Sequence, residues 1–139
     1  MAEAEPDESL TEAFWAVARR LRQVNREALA PWEITPSQFR ALGTLVRDGT
    51  MRLSDLSERL RIAPRSATEV VDALQDRGLV ERLPDPHDRR ATLVRLTEHG
   101  ADLARSLRST RAAEAAGFFA RLTDADRTEL ARILDTLRD

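Results

Sequence analysis

The chain has 139 residues, 42% of them hydrophobic and 33% charged, with a net charge of −2, a size and apolar fraction that suit one globular domain. It contains no cysteine, which excludes a disulfide framework, a thiolate zinc site, cysteine nucleophilic catalysis and thiol-based sensing. All 22 basic residues are arginine, and acidity crowds into Glu3, Glu5, Asp7, Glu8 and Glu12, so the near-neutral total does not describe any one face.

In chain order, Leu10, Phe14, Val17, Leu21, Val24 and Ala28 alternate steps of four and three, the pattern of a helix with one buried seam. Pro31 is expected to end it. A second helix is expected from Pro36, with Thr35 as N-cap and Phe39, Leu42, Leu45 and Val46 inward, stopped by Asp48 and Gly49. A short helix follows with Leu53, Leu56 and Leu60 inward. The next one opens at Pro64, buries Val70, Val71 and Leu74, and stops at Gly78. Two short helices separated by residues 61–63 fit a helix-turn-helix.

After Gly78 the period changes. LVERLP and TLVRL, residues 79–84 and 92–96, read as the two strands of a hairpin around a polar loop at residues 85–90. Thr97 is expected to cap a long helix running through Leu103, Leu107, Phe118 and Leu122. Thr123 caps the last, with Asp126 at the capping-box position and a stripe of Leu130, Ile133, Leu134 and Leu137. The expected fold is mainly α with a small β-hairpin: a winged helix-turn-helix at residues 35–97, its wing at about 79–97. Flanking helices at 9–30 and 98–138 complete a single domain spanning 1–139.

A recognition helix enters the major groove by its first exposed turns, which here carry Arg65, Ser66, Thr68 and Glu69. Arg65 suits guanine O6 and N7, Ser66 and Thr68 suit phosphate or base edges, and Glu69 suits a cytosine amino group. At the wing tip Arg89 and Arg90 suit a narrow, strongly negative minor groove, with Asp88 expected to hold one guanidinium extended. The alternatives are a solvated helix face and an exposed turn whose Asp and Arg only pair with each other.

DPHDRRATLVRLTEHG, residues 85–100, resembles the wing signature of the MarR family of winged-helix transcription factors. LSDLSERLRIAPRSATEVVDALQDRGLVERL resembles that family's helix-turn-helix, and the likeness covers about residues 10–137. The resemblance implies a homodimer with interlocked N- and C-terminal helices, two recognition helices and two wings reading a palindromic operator in double-stranded DNA. It implies Asp88 as the wing aspartate, Arg90 in the minor groove, Arg89 on phosphate, and Arg65, Ser66, Thr68 and Glu69 in the major groove. Glu69 departs from the pattern, since many members carry a basic residue there. It further implies repression relieved by a small aromatic or anionic effector bound between the dimerisation helices and the DNA-binding lobe.

Phe14, Trp15, Trp32 and Phe39 are read as core or interface residues and not as ligand contacts. His87 and His99 have no partner at metal-ligand spacing, so no metal or cofactor is expected. No phosphate-binding glycine loop, nucleophile elbow or His–carboxylate pair at catalytic spacing is present, so the protein is not expected to be an enzyme. No apolar run approaches the roughly 20 residues that span a bilayer, and MAEAEPDESL is unlike a signal peptide, so a cytoplasmic protein without a membrane partner is expected. A winged-helix module of the anti-repressor type, binding a protein partner without direct DNA contact, is the alternative.

Overall fold

A computed structural model of the chain describes residues 6–138; Glu3 and Glu5 of the acidic N-terminal cluster lie outside the described residues. The order is α1 (Pro6–Leu29), a 3-10 turn (Ala30–Trp32), α2 (Pro36–Asp48), β1 (Met51–Arg52), α3 (Leu53–Leu60), α4 (Pro64–Asp76), β2 (Val80–Pro84), β3 (Thr92–Leu96), α5 (Glu98–Phe119) and α6 (Asp124–Leu137). They form two compact units, one from Leu29–Thr110 and one from Met1–Ala28 with Arg111–Asp139.

The caps that set these boundaries are chemical. Thr35 accepts the Gln38 N–H on its hydroxyl while the Gln38 side chain accepts the Thr35 N–H, a complete capping box ahead of Pro36. Thr97 accepts the Gly100 N–H and donates its own hydroxyl to the Gly78 carbonyl. Thr123 accepts the Asp126 N–H. Gly78 ends α4 at φ 71°, a left-handed backbone that costs a side-chain-bearing residue energy.

In the Leu29–Thr110 unit, Leu42, Leu56, Leu74, Leu79, Leu107, Val71, Val80 and Val94 are fully buried. Helices α2, α3 and α4 and the sheet thus share one apolar centre, each through residues of its expected stripe, except that Val46 of α2, expected inward, is exposed. The sheet has three antiparallel strands in the order β1-β3-β2. Val94, on the central strand, pairs with Met51 on one side and Arg82 on the other. The two-residue β1 is an addition to the expected hairpin. Gly100 admits α5 against this core, because a methyl at that position would overlap the Leu79 carbonyl oxygen.

Two expected boundaries move. Helix α1 ends at Leu29, and Pro31 falls within the 3-10 turn. Helix α5 ends at Phe119, leaving Leu122 in the connection, where the extended backbone of the Thr123 cap must already be approached.

The other unit is built differently. Of its described residues only Ala28 is buried. Leu10, Phe14 and Val17, expected in a buried seam, are exposed, as are Trp15, Ile133 and Leu137. The helical period is present, but this part of one chain does not cover the apolar face it produces. Among the described residues no helix is long and apolar enough to cross a membrane.

Candidate nucleic-acid interface

The turn between α3 and α4 is held by its own backbone. Arg61 takes a left-handed conformation at φ 55° and donates to the Glu58 carbonyl. Ser57, buried, donates to the Ile62 carbonyl while the Ile62 N–H returns to Ser57 O. Arg40 of α2 reaches the last carbonyl of α3, Leu60 O, at 2.7 Å, satisfying a group the helix leaves open. These bonds fix where α4 starts. Its N-cap, Ala63, offers no side-chain acceptor, and Pro64 has no N–H, so the N-cap residue leaves the positive end of this helix without a side-chain cap.

Arg65, Ser66 and Glu69 are exposed on the opening turns of α4, and Thr68 is half-buried. The Thr68 hydroxyl donates to Pro64 O at 3.0 Å, leaving its methyl and both oxygen lone pairs for a partner. Arg65 Nε lies 3.9 Å from Glu69 Oε1 with both side chains largely in solvent, a contact too weak to hold the arginine in place. Both remain able to reorient.

The wing is stiffer than its exposure suggests. Strands β2 and β3 pair from Val80↔Leu96 to Pro84↔Thr92, and the Arg95–Glu81 ion pair spans them. Arg82 on β2 donates to Asp72 and Gln75 of α4, tying wing to recognition helix. In the loop, Asp85 is buried. Its Oδ1 accepts the His87 N–H and its Oδ2 accepts Arg52 Nε, each at 2.8 Å. The His87 N–H and the Arg52 guanidinium hold this carboxyl below the ordinary aspartate range against the opposing effect of burial.

Contrary to the expectation from the sequence, Asp88 holds no guanidinium among the described residues. Its Oδ1 accepts the Arg90 backbone N–H at 2.9 Å, and its carbonyl accepts the Ala91 N–H at 3.0 Å. The reason is local: an aspartate two residues ahead of an N–H closes a tight turn with its own carboxylate. Arg89 and Arg90 are exposed, and neither enters an ion pair among the described residues.

A cavity of about 530 Å³ opens between α3, the start of α4 and the wing loop, lined among others by Arg52, Ser54, Thr68, Asp88, Arg90 and Thr92. Thr68 and Arg90, placed on recognition helix and wing by the sequence, therefore face one concavity, with Asp88 beside them. Arg65, Ser66 and Glu69 do not line it. Sequence reasoning passed over Arg52 and Asp85, whose pairing joins residues 33 positions apart. The one sequence signal for Asp85 was its place in the quoted wing motif.

The aromatic residues divide between the units. Trp32 and Phe39 pack against the core of the Leu29–Thr110 unit, whereas Phe14 and Trp15 form an edge-to-face pair that stays exposed. Among the described residues no grouping of His, Asp and Glu could hold a metal ion.

Comparison with known proteins places this geometry. The model of the MarR family matches residues 34–92. An HTH-type transcriptional regulator of Mycobacterium tuberculosis is 37% identical over 88% of this chain and 85% of its own length. The HTH-type transcriptional repressor MdtR of Bacillus subtilis is 25% identical over 85% of this chain and 76% of its own. Wild-type MarR from E. coli superposes with a TM-score of 0.86 at 26% identity, over 99% of this chain and all of that one. A mutant E. coli MarR solved with operator DNA superposes at 0.76 with 26% identity, over 94% of each chain.

Proposed function

The chain belongs to the MarR family of HTH transcriptional regulators, and on that premise we propose that it represses transcription by binding a pseudo-palindromic operator in duplex DNA as a homodimer. In this reading residues 35–97 are the DNA-binding lobe, and residues 9–30 and 98–138 supply the dimerisation helices. Arg65, Ser66, Thr68 and Glu69 read the major groove, Arg90 enters the minor groove, Arg89 meets phosphate, and Asp88 shapes the turn that presents both arginines. The observation that carries it is the pair of exposed wing arginines without an ion-pair partner among the described residues, joined through Arg82 to a helix whose N-cap residue, Ala63, makes no side-chain cap.

Exposed apolar residues on α1 and α6 support the homodimer, since contiguous faces of this kind on a chain are normally covered by a partner. Two lobes spaced about 10 bp apart centre to centre then match a two-fold operator. Release follows from a small aromatic or anionic effector with unequal affinity for the DNA-competent and DNA-incompetent spacings of the lobes. The protein acts in the cytoplasm, by binding and not by catalysis, and needs no metal or cofactor.

Selection of bound sequences from random duplex DNA, followed by gel shifts with wild-type protein and Arg90→Ala, tests the reading. A palindromic consensus whose binding weakens in Arg90→Ala while the dimer persists is the expected result. No enrichment of any duplex at low salt would overturn it in favour of a protein partner.

A further inference from the structure

We propose that Arg52 is a further DNA-contacting residue, whose guanidinium, aimed by the buried Asp85 carboxylate, takes a phosphate of the duplex backbone between recognition helix and wing. The inference rests on the DNA-binding reading above and adds to it a residue outside both the helix-turn-helix face and the wing tip.

Arg52 is fixed at both ends of its backbone. It pairs with Leu93 in the sheet and adopts the extended conformation that precedes the first turn of α3. Its side chain then spans from β1 to the wing, where Nε meets Asp85 Oδ2. The Asp85 side chain is 5% exposed and that of Arg52 is 43% exposed. A buried carboxylate needs its charge compensated, and one guanidinium N–H with the His87 N–H meets that need. The remaining guanidinium N–H groups of Arg52 have no protein acceptor among the described residues. The result is an arginine whose position is set by a buried acid while most of its donors stay open, an arrangement suited to an oxyanion such as phosphate, two of whose oxygens can accept the paired N–H groups of the planar guanidinium.

The surroundings identify the anion's source. Arg52 lines the same 530 Å³ cavity as Arg90, together with Ser54 of α3 and Thr68 of α4. Glu58 and Asp88 also line it. Asp88 is occupied with the Arg90 N–H, and Glu58 confines an anion to the side of the two arginines. A duplex whose grooves receive α4 and the wing must carry a phosphate backbone across the space separating them, and that space is this cavity.

The test is the salt dependence of duplex binding between about 50 and 200 mM salt, where each phosphate contact contributes nearly one unit of slope in log K against log salt. Arg52→Gln, which keeps a side-chain N–H for the buried Asp85 carboxylate, is made in the otherwise wild-type chain and compared with the wild-type protein. The slope is expected to become shallower by about one unit per subunit, with selected and random duplexes weakened alike by about threefold to tenfold per contact. Arg52→Lys on the same background restores the slope. An unchanged slope in Arg52→Gln, with melting curves showing both proteins folded, overturns the contact and leaves Arg52 a strut for the wing. Absence of duplex binding by the wild-type protein overturns the DNA-binding reading itself and is recorded before any variant is compared.

Discussion

Asp88 Oδ1 accepts the backbone N–H of Arg90 at 2.9 Å, and this bond, rather than any contact between the two side chains, sets the direction of the wing-tip arginine. Replacing Asp88 with Ala or with Asn removes the same charge from the proposed interface, but Asn keeps an acceptor in the same place. Asp88→Ala is therefore expected to bind operator about threefold to tenfold more weakly than Asp88→Asn, the worth of one hydrogen bond that orders a turn. Fluorescence anisotropy on both variants checks it. A carboxylate that acted on a guanidinium would instead weaken both variants together.

What the sequence revealed and what it did not divides along physical lines. Thr35, Thr97, Thr123 and Gly78 are legible because capping is local chemistry within three or four residues. The hairpin is legible because its period switches from helical to alternating at Gly78. Strand β1 is not, since Met51 and Arg52 are too short a run to show any period. The partner of Asp88 was missed because carboxylate-to-guanidinium and carboxylate-to-N–H bonds have the same sequence signature. The Arg52–Asp85 pair was missed because no spacing rule joins two residues from different elements across the sheet. The apolar stripe of α1 was legible, but that Leu10, Phe14 and Val17 lie exposed in one chain was not, because a helical period does not say what the face meets.

The second prediction concerns Gly100. Helix α5 begins against the end of α4 and the start of β2, where Thr97 donates its N–H to Leu79 O and its hydroxyl to Gly78 O. A Cβ at position 100 would overlap the Leu79 carbonyl, and that carbonyl is backbone, with little room to yield. Gly100→Ala is expected to lose at least about 1–3 kcal/mol of stability, the usual cost of forcing extra atoms into a packed site. Urea unfolding should show a lower midpoint at an unchanged m-value. A midpoint equal to that of the wild-type protein would mean the helix start shifts freely.

The third prediction is a pH dependence. Asp85 has its folded-state affinity for protons lowered by the His87 N–H and the Arg52 guanidinium, while in the unfolded chain it titrates near the ordinary value of about 3.9. The unfolded state thus binds the proton more readily, so stability rises with pH in this window. The contribution is fully present above the unfolded value and is lost as pH falls through the lower folded one. Asp48 beside Arg47 and Arg59, and Glu129 beside Arg132, act in the same direction. Asp85→Asn should therefore flatten, without abolishing, the acid limb of stability measured by urea unfolding below about pH 4. An acid limb identical to the wild type would show that Asp85 is protonated as easily in the folded protein as in the unfolded one.

The last prediction addresses assembly. Phe14 and Leu137 are 51% and 71% exposed on the unit formed by the two chain ends. Introducing a carboxylate at either position costs an isolated chain little, because the replaced side chain was already in water. In a dimer that covers these faces the same carboxylate must be buried without a partner, and each large apolar side chain removed also forfeits about 1.5–3 kcal/mol of burial. Phe14→Glu with Leu137→Glu is expected to sediment as a monomer at concentrations where the wild-type chain forms the proposed dimer, with circular dichroism showing the overall helix content retained. Operator affinity should fall by more than tenfold while binding to a single half-site, weak in both proteins, stays nearly constant, because each lobe is intact and only their linkage is lost. A doubly substituted protein that still sedimented as a dimer would mean that the exposed stripes of α1 and α6 face solvent in the assembly as they do in one chain.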